Sequence, residues 1–589
     1  MNPHARKNSP ARQRGALTVA TPLIITVILL LSVMGLDGAR LYALKGRMQS
    51  QVNAAAIAAA DGAQACGGTD VSLATIRSRA QTAATVQGFD GDTADLQITP
   101  GVLQVQGASD DELALVPVAD LDRSNAVLVT YAREEPISRF FPDLFGSVTL
   151  TAQAAARKEV VATLGAGGST LTVDNGLLGN LLGAVLGQPG YSLDATSLSS
   201  LQNTTVQLGD LLQKAGVDSL VDLLPLRADT LARAVRDVTG SVTPVGELFD
   251  DLLDSNGIET VRVSDILAVA GNTQVPRDST FETYDLLTSL VLNIAHSQSA
   301  DEGQLLSVPL TISDLSIPLV ANIKAVDLEL YVDRPPTIAI GPARRGSDGQ
   351  WMTQFQSSDI SLRLVADAEI LPINLLPLVQ VTIASLKIPL AVDIGGGEGA
   401  LVAAQCARAT DNDVRFDVDL DRSVATIATG DIDLDSGDID FEPIKASVGQ
   451  ITILGAGGGS GAIDLEATLS AEVPGVHSTA TVATDYPLYC DPVTGCTETH
   501  YDDGDASLDG LDLNIDVDAK LLGIEISALV APLESLINTL LDDVVSSLLK
   551  AIVSPLLQSL GAGLGGMSVT VTNADQGHAA LIEDITVVN

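Results

Sequence analysis

Aromatic residues make up only 3% of this 589-residue chain, which holds a single tryptophan. Single-stranded nucleic acid is gripped by rings on which its bases stack, so the composition excludes that partner. Basic residues are also scarce: 32 Lys and Arg stand against 74 Asp and Glu, a formal net charge of -42. Phosphate backbones would be repelled, and no nucleic acid of any kind is expected to bind. Four cysteines, Cys66, Cys406, Cys490 and Cys496, are too few for a scaffold built from disulfides. Five scattered histidines lack the spacing that brings two imidazoles to one metal. Also missing are GxxxxGK(S/T), HExxH, GxSxG and CxxC, so no phosphate loop, zinc-protease helix, nucleophile elbow or redox pair is offered. The expectation is a non-enzymatic protein with no cofactor and no bound metal.

What the chain has in quantity is aliphatic matter. Hydrophobic residues reach 46% against 18% charged, enough for several cores and too much for general disorder. The most concentrated run comes first. Arg6, Lys7, Arg12 and Arg14 precede Leu17–Leu36, a stretch without a charge. About 20 residues at 1.5 Å each cross a hydrocarbon core of ~30 Å. Asp37-Gly38-Ala39-Arg40 follows where a cleaved signal would carry a small-x-small site, which favours a retained anchor. Arg40, Lys45 and Arg47 flank the span on its far side, so charge alone barely sets the orientation. The acidic body and the Cys490/Cys496 pair favour a short basic tail (1–14) in the cytoplasm, a span at 15–36, and a periplasmic bulk.

Leu41, Leu44, Met48, Val52 and Ala55 continue at helical steps, so span and extension predict one helix of about 75 Å from Gly15 to Ala65. That is a pilin-like plan. A helix at Leu73–Gln87 and short alternating strands (Leu96–Ile98, Val102–Val105, Ala126–Thr130, Val148–Thr151) then predict a small α+β unit ending near residue 158.

Several segments in this order carry a family resemblance: Arg14-Gly15-Ala16, the span, Gly35–Tyr42, Lys45–Gln49 and Asn53–Ala60, then Val127–Thr130, Pro136–Phe141, Leu144–Gly146 and Val148–Ala156. Over residues 14–158 the chain resembles the N-terminal module of TadG-like proteins of the Tad (tight adherence, Flp pilus) assembly system. Asn53 stands where an Asp is usual. The resemblance implies a structural or assembly component of the pilus apparatus in the bacterial inner membrane, with other Tad proteins or pilins as partners. It also singles out Asp37, Gly38, Arg40, Lys45 and Gln49 as a membrane-proximal helix motif. Asp37 and Arg40, three apart on one helical face, are placed to pair within the chain or with a neighbour.

Beyond residue 158 the pattern changes twice. Residues 159–300 are Leu-rich with helical spacing, as in Leu177, Leu178, Leu181 and Leu182. Residues 301–517 alternate with period two, as in Leu386, Ile388, Leu390, Val392 and Ile394, and Pro309, Pro318, Pro372 and Pro389 assign some strands to edges or bulges. Residues 518–589 hold one long apolar helix or a broken pair, with Leu529, Leu533, Leu536, Leu540, Val544, Leu548, Ile552, Leu556 and Leu560 on one face. They also hold a last strand, Val569–Val571, and are expected to pack on the β-rich region. The fold class is therefore α+β: an anchored long helix, a small α+β unit, and a large β-rich body with Leu-rich helices. An alternative function follows from the same residues. A curved sheet around the Leu-rich helix would leave a groove for lipid or another hydrophobic ligand in the periplasm.

Three further patterns invite chemistry. Gly455–Gly461 resembles a dinucleotide loop, but the alternating Ile463, Leu465, Ala467 and Leu469 predict a strand after it, hence a hairpin loop. Asp431, Asp433 and Asp435 with Glu442 echo a calcium loop whose glycine, Gly437, is one place late; a solvated strand face explains them equally well. Cys490 and Cys496 flank the turn-forming Asp491–Gly495, which favours a disulfide over zinc, for which a fourth ligand is lacking; Cys406 stands as an alternative partner for either.

Overall fold

The protein, as a computed structural model, is a mixed α+β structure with one long apolar N-terminal helix and a large β-rich body. It describes residues 14–62, 72–105, 113–117, 124, 126–166, 175–188, 191–193, 195–202, 204–269, 273, 275–302, 305–310, 315–317, 321–343, 350–370, 373–376, 379–383, 386–405, 413–422, 424–433, 438–453, 460–485, 490–491, 495–496, 499–502, 514–522, 530–560, 562, 567–582 and 586–587. Two compact units are present. One gathers residues from 1–65, 69–158 and 578–589, the other from 159–577.

The first unit is built on α1 (Arg14–Ala60). Its first half, from Leu23 to Leu36, exposes nearly every large aliphatic side chain, whereas its second half buries Met48, Val52, Ala55, Ala56, Ala59 and Ala60 along one stripe. Pro22 lies inside the helix, and the hydroxyls of Thr26 and Ser32 donate back to the carbonyls of Pro22 and Ile28 at 2.8 Å, which satisfies those hydroxyls within the helix itself. Against the buried stripe lies α2 (Leu73–Val86), capped by Ser72 and contributing Ile76, Ala80 and Ala84 at four-residue steps. Alanines on both helices let the axes approach closely.

The same stripe packs on a sheet of β1 (Leu96–Val105), β2 (Leu113–Pro117), β3 (Ala126–Pro136) and β4 (Ser147–Gly165), in the order β4-β3-β1-β2. Val127, Val129 and Tyr131 of β3 and Ala152, Ala154 and Ala156 of β4 supply the facing surface, and Phe89 meets Tyr131 edge to face with centroids 5.0 Å apart. A short parallel pairing of β2 with Thr586–Val587 brings the C-terminal end of the chain into this unit.

In the second unit the Leu-rich region forms eight helices among the described residues, the longest being Thr283–Glu302. That helix buries Tyr284, Leu286, Leu287, Leu290, Val291, Leu292, Ile294 and Ala295, so it is apolar around most of its circumference and sits inside the core. The main sheet orders its strands 373–376, 379–383, 444–453, 460–473, 425–432, 386–394, 359–370, 321–334 and 306–308. Strict alternation, as in Ile360, Leu362, Leu364, Ala366, Ala368 and Ile370, turns one face to the core. Pro389 lies in an interior strand, yet it falls where pairing with Ala425–Ile432 has not begun: that pairing covers Leu390–Ile394. Its missing N–H therefore removes no ladder bond on that side. A second sheet of Gln354–Gln356, Glu398–Gln405, Asp413–Asp421 and His477–Asp485 has its own core around Phe355, Leu401, Phe416 and Val482.

The C-terminal helical run is broken by geometry as well as by sequence. Val530–Leu548 passes through a π turn at Leu549–Val553 into Ser554–Ser559, with Pro555 in the first turn of the last piece. Leu540, Val544, Leu548, Ile552, Leu556 and Leu560 are all buried in the main core. The Tyr284 hydroxyl donates to the Ser559 carbonyl at 2.7 Å, and Ser358 donates to Leu560 at 3.1 Å, tying the run to helix and sheet. Of the apolar face on which a lipid groove would depend, the described stretch Leu540–Leu560 is packed in the main core, and Leu529 lies outside the described residues.

Candidate functional site

The residues of the helix motif gather where α1 leaves its apolar half. Asp37 is 6% exposed, directly after the exposed Leu36. Its Oδ1 accepts the backbone N–H of Arg139 at 3.3 Å, while Oδ2 has no hydrogen-bond partner among the described residues. One turn on, Arg40 Nη1 donates to Glu135 Oε2 at 3.0 Å, and its Nη2 donates to the Pro136 carbonyl. Asp37 and Arg40 therefore each turn to the end of β3, about a hundred residues away in sequence. Glu135 is shared, since Arg133 Nε lies 2.9 Å from its other oxygen. Gly38 is exposed with open space where a Cβ would stand, and Lys45 is exposed.

Gln49 continues the seam. Its amide donates to Asn53 Oδ1 at 2.9 Å and to the Gln153 carbonyl of β4 at 2.8 Å. At the far end of the helix Asp61 meets Lys158 at 3.0 Å and also pairs with Arg79. Burial pushes the Asp61 carboxyl up, but Lys158 and Arg79 outweigh that and hold it below the ordinary carboxylate value. These three rungs fix a direction. From Arg40 to Asp61 along the helix, and from Val148 (opposite Glu135) to Lys158 along β4, the rise is about 30 Å on either element. The β3–β4 hairpin thus runs alongside α1 with its turn at the end where the apolar half begins.

Of these contacts the sequence announced only the helix side. Glu135, Asp61 and Lys158 were missed, and Pro136 and Arg139 stood only as part of the resembling segment Pro136–Phe141; the charged run Arg133-Glu134-Glu135 in an otherwise apolar strand was a further signal.

Elsewhere, Cys490 and Cys496 face each other directly in a short antiparallel pairing. Cys66 and Cys406 lie outside the described residues. Asp431 is 2.7 Å from Arg363 Nε and accepts the Ile432 N–H at 2.9 Å, and its strand pairs with Ile439–Phe441 as a hairpin. Asp435 lies outside the described residues. The glycine run 455–461 joins antiparallel strands Ile444–Ile453 and Ser460–Val473, with 454–459 outside the described residues. His296 Nδ1 is 2.7 Å from the Val332 carbonyl and His477 Nδ1 is 2.7 Å from Asp421. Among the described residues no group of three or more His, Cys, Asp or Glu side chains is arranged to hold a metal.

Comparison with known families picks out part of this helix-and-hairpin seam. Residues 44–156 match the family described as "Putative Tad-like Flp pilus-assembly". Over these residues the module is similar to the Tad pilus-assembly family. The match begins at Leu44, just inside the buried stripe of α1, and ends at Ala156 on β4, so the Tad module coincides with α2, β1–β3 and the parts of α1 and β4 they pack against. Comparison with curated proteins gives no match, and neither does comparison with solved structures.

Proposed function

We propose that this protein is a single-pass, membrane-anchored and non-enzymatic component of a Tad/Flp-type pilus assembly apparatus. The observation that carries this reading is the placement of the Tad module: it is folded directly onto the continuation of the long apolar helix. An apolar helix and a pilus-assembly module in one compact unit suit a part that positions other proteins at a membrane. In this reading the basic tail is cytoplasmic, the span crosses the inner membrane, and the acidic bulk is periplasmic. The long helix plays a pilin-like part, with its exposed face toward lipid and the helices of pilins or of other Tad proteins.

Two measurements test it. A phosphatase that is active only in the periplasm, fused after about residue 150, is expected to be active; activity of a cytoplasm-only reporter at that site contradicts the topology. A photo-crosslinker at Tyr42, which is exposed just beyond the span, is expected to capture a pilin or another Tad protein in piliated cells. Capture restricted to proteins outside the pilus apparatus contradicts the partner assignment.

A further inference from the structure

The turn between β3 and β4 is an apolar surface in a chain that exposes few large rings. Three of the nine phenylalanines, Phe140, Phe141 and Phe145, lie in this one loop with Ile137 and Leu144. Phe140 is 63% exposed, Phe141 49% and Leu144 74%, whereas Phe89, Phe249, Phe281, Phe355 and Phe416 are buried in cores; Phe441, alone on its strand, is the other exposed phenylalanine. The loop is not loose. Ile137 N–H closes it on the Gly146 carbonyl at 3.0 Å, Ser138 Oγ accepts the N–H groups of Phe140 and Phe141 at 3.3 Å, and Pro142–Phe145 makes a helical turn. A folded loop that presents rings outward needs an apolar environment to meet them.

Its position says which. Arg139 N–H is bonded to Asp37, the first charged residue after the apolar run that ends at Leu36, and the hairpin runs toward that run along the three rungs. Leu29, Leu30, Leu31, Met34 and Leu36 on the adjoining part of α1 are themselves exposed, so the loop's apolar surface continues the surface of the span. Arg139, exposed within the loop, adds a cationic side chain suited to headgroups.

We propose that the Ile137–Phe145 loop is a second membrane contact, with Phe140, Phe141, Leu144 and Phe145 seated at the boundary of headgroups and acyl chains beside the exit of α1. The proposal rests on the reading that α1 spans the bilayer. A helix alone leaves a domain free to swivel about its axis; a wedge of rings at a fixed angle around that axis sets which side of the first unit faces along the membrane. The occupant is lipid, not a second protein, because the patch is continuous with the lipid-facing surface of the span and level with its end.

The test uses the full chain in liposomes, with Trp351 of the wild type as background and tryptophan placed by Phe141→Trp, by Leu29→Trp within the span, and by Val86→Trp at the exposed end of α2. Lipids brominated near the headgroup or near the chain ends serve as quenchers. Phe141→Trp is expected to emit to the blue of Val86→Trp and to lose most emission to the shallow bromines and less to the deep ones. Leu29→Trp is expected to lose most to the deep ones. A water-like, unquenched Phe141→Trp beside a quenched Leu29→Trp overturns the loop contact and leaves the anchor standing. An unquenched Leu29→Trp overturns the anchor and the loop contact with it. Blue-shifted emission at Phe141→Trp that no bromine quenches assigns the patch to a protein partner and also overturns the proposal. Phe140→Trp serves as the second probe where Phe141→Trp does not fold.

Discussion

Arg40 and Glu135 form an ion pair, 3.0 Å between Nη1 and Oε2, that clamps the first turns of α1 beyond its apolar half to the end of β3. Both side chains are largely withdrawn from water, and the guanidinium also serves the Pro136 carbonyl. Arg40→Ala should cost about 1–3 kcal/mol, since Glu135 retains Arg133 as a partner. Arg40→Lys should fall between, because an ammonium has no planar fork to serve both acceptors. Hydrogen exchange of the full-length protein checks this: faster exchange confined to α1 and the hairpin is expected in both variants.

Asp61 supplies a pH dependence. Its carboxyl is held below the ordinary value by Lys158 and Arg79 against the upward push of burial. A carboxylate depressed in the folded state contributes stability that is complete above its unfolded value of about 4 and is lost as pH falls through the folded value. Asp61→Asn should therefore lower the thermal midpoint of the first unit at pH 7, and the gap to wild type should close as the medium is acidified past that range. Because Asp61 is half exposed, the effect is small.

Residues directly opposite in antiparallel strands have Cα atoms about 4.5 or 5.5 Å apart, and both spacings fall within the range a disulfide spans. Cys490 and Cys496 stand in that relation. Protein isolated from the envelope should yield a linked 490/496 peptide in unreduced mass spectrometry. The short loop limits its stabilisation to ~2 kcal/mol. Free thiols at both positions would contradict the pairing.

In the second unit, Leu548→Ala should cost about 2–5 kcal/mol and lower the yield of folded protein, because Leu548 is fully buried in the main core. Tyr284→Phe should cost about 1–3 kcal/mol by leaving the buried Ser559 carbonyl without its donor. Wild-type stability in both variants, together with co-purifying lipid that the Leu548 change removes, would instead favour a ligand groove.

Local periodicity made much of this fold legible. The long helix, α2 and the alternating strands of the body follow from spacing alone, although the helix stops at Ala60, with a turn at Asp61-Gly62, and not at Ala65 as expected. Where two strands were expected at Leu96–Ile98 and Val102–Val105, a single β1 runs through Pro100-Gly101. It pairs with β3 over Leu96–Gly101 and with β2 over Gly101–Val105. Proline and glycine mark a change of partner there, not a turn, and a Cβ at Gly101 would come within 2.6 Å of the Val116 carbonyl oxygen. What the sequence hid was long-range pairing. Asp37 and Arg40 look like partners because helical spacing is visible in a string of letters, whereas the hundred-residue step to Arg139 and Glu135 exists only once the sheet has formed. The exposure of Phe140 and Phe141 was hidden for the same reason: rings read as core until the fold shows that nothing covers them.

The pilus itself gives the most direct measurement. Surface pili are counted by electron microscopy in a strain lacking this gene, in one complemented with the full chain, and in one complemented with Asp37→Lys/Arg40→Glu at matched protein level. The account predicts few or no pili in the deletion, recovery with the full chain, and poor recovery with the charge exchange. Normal piliation in the deletion strain would contradict it.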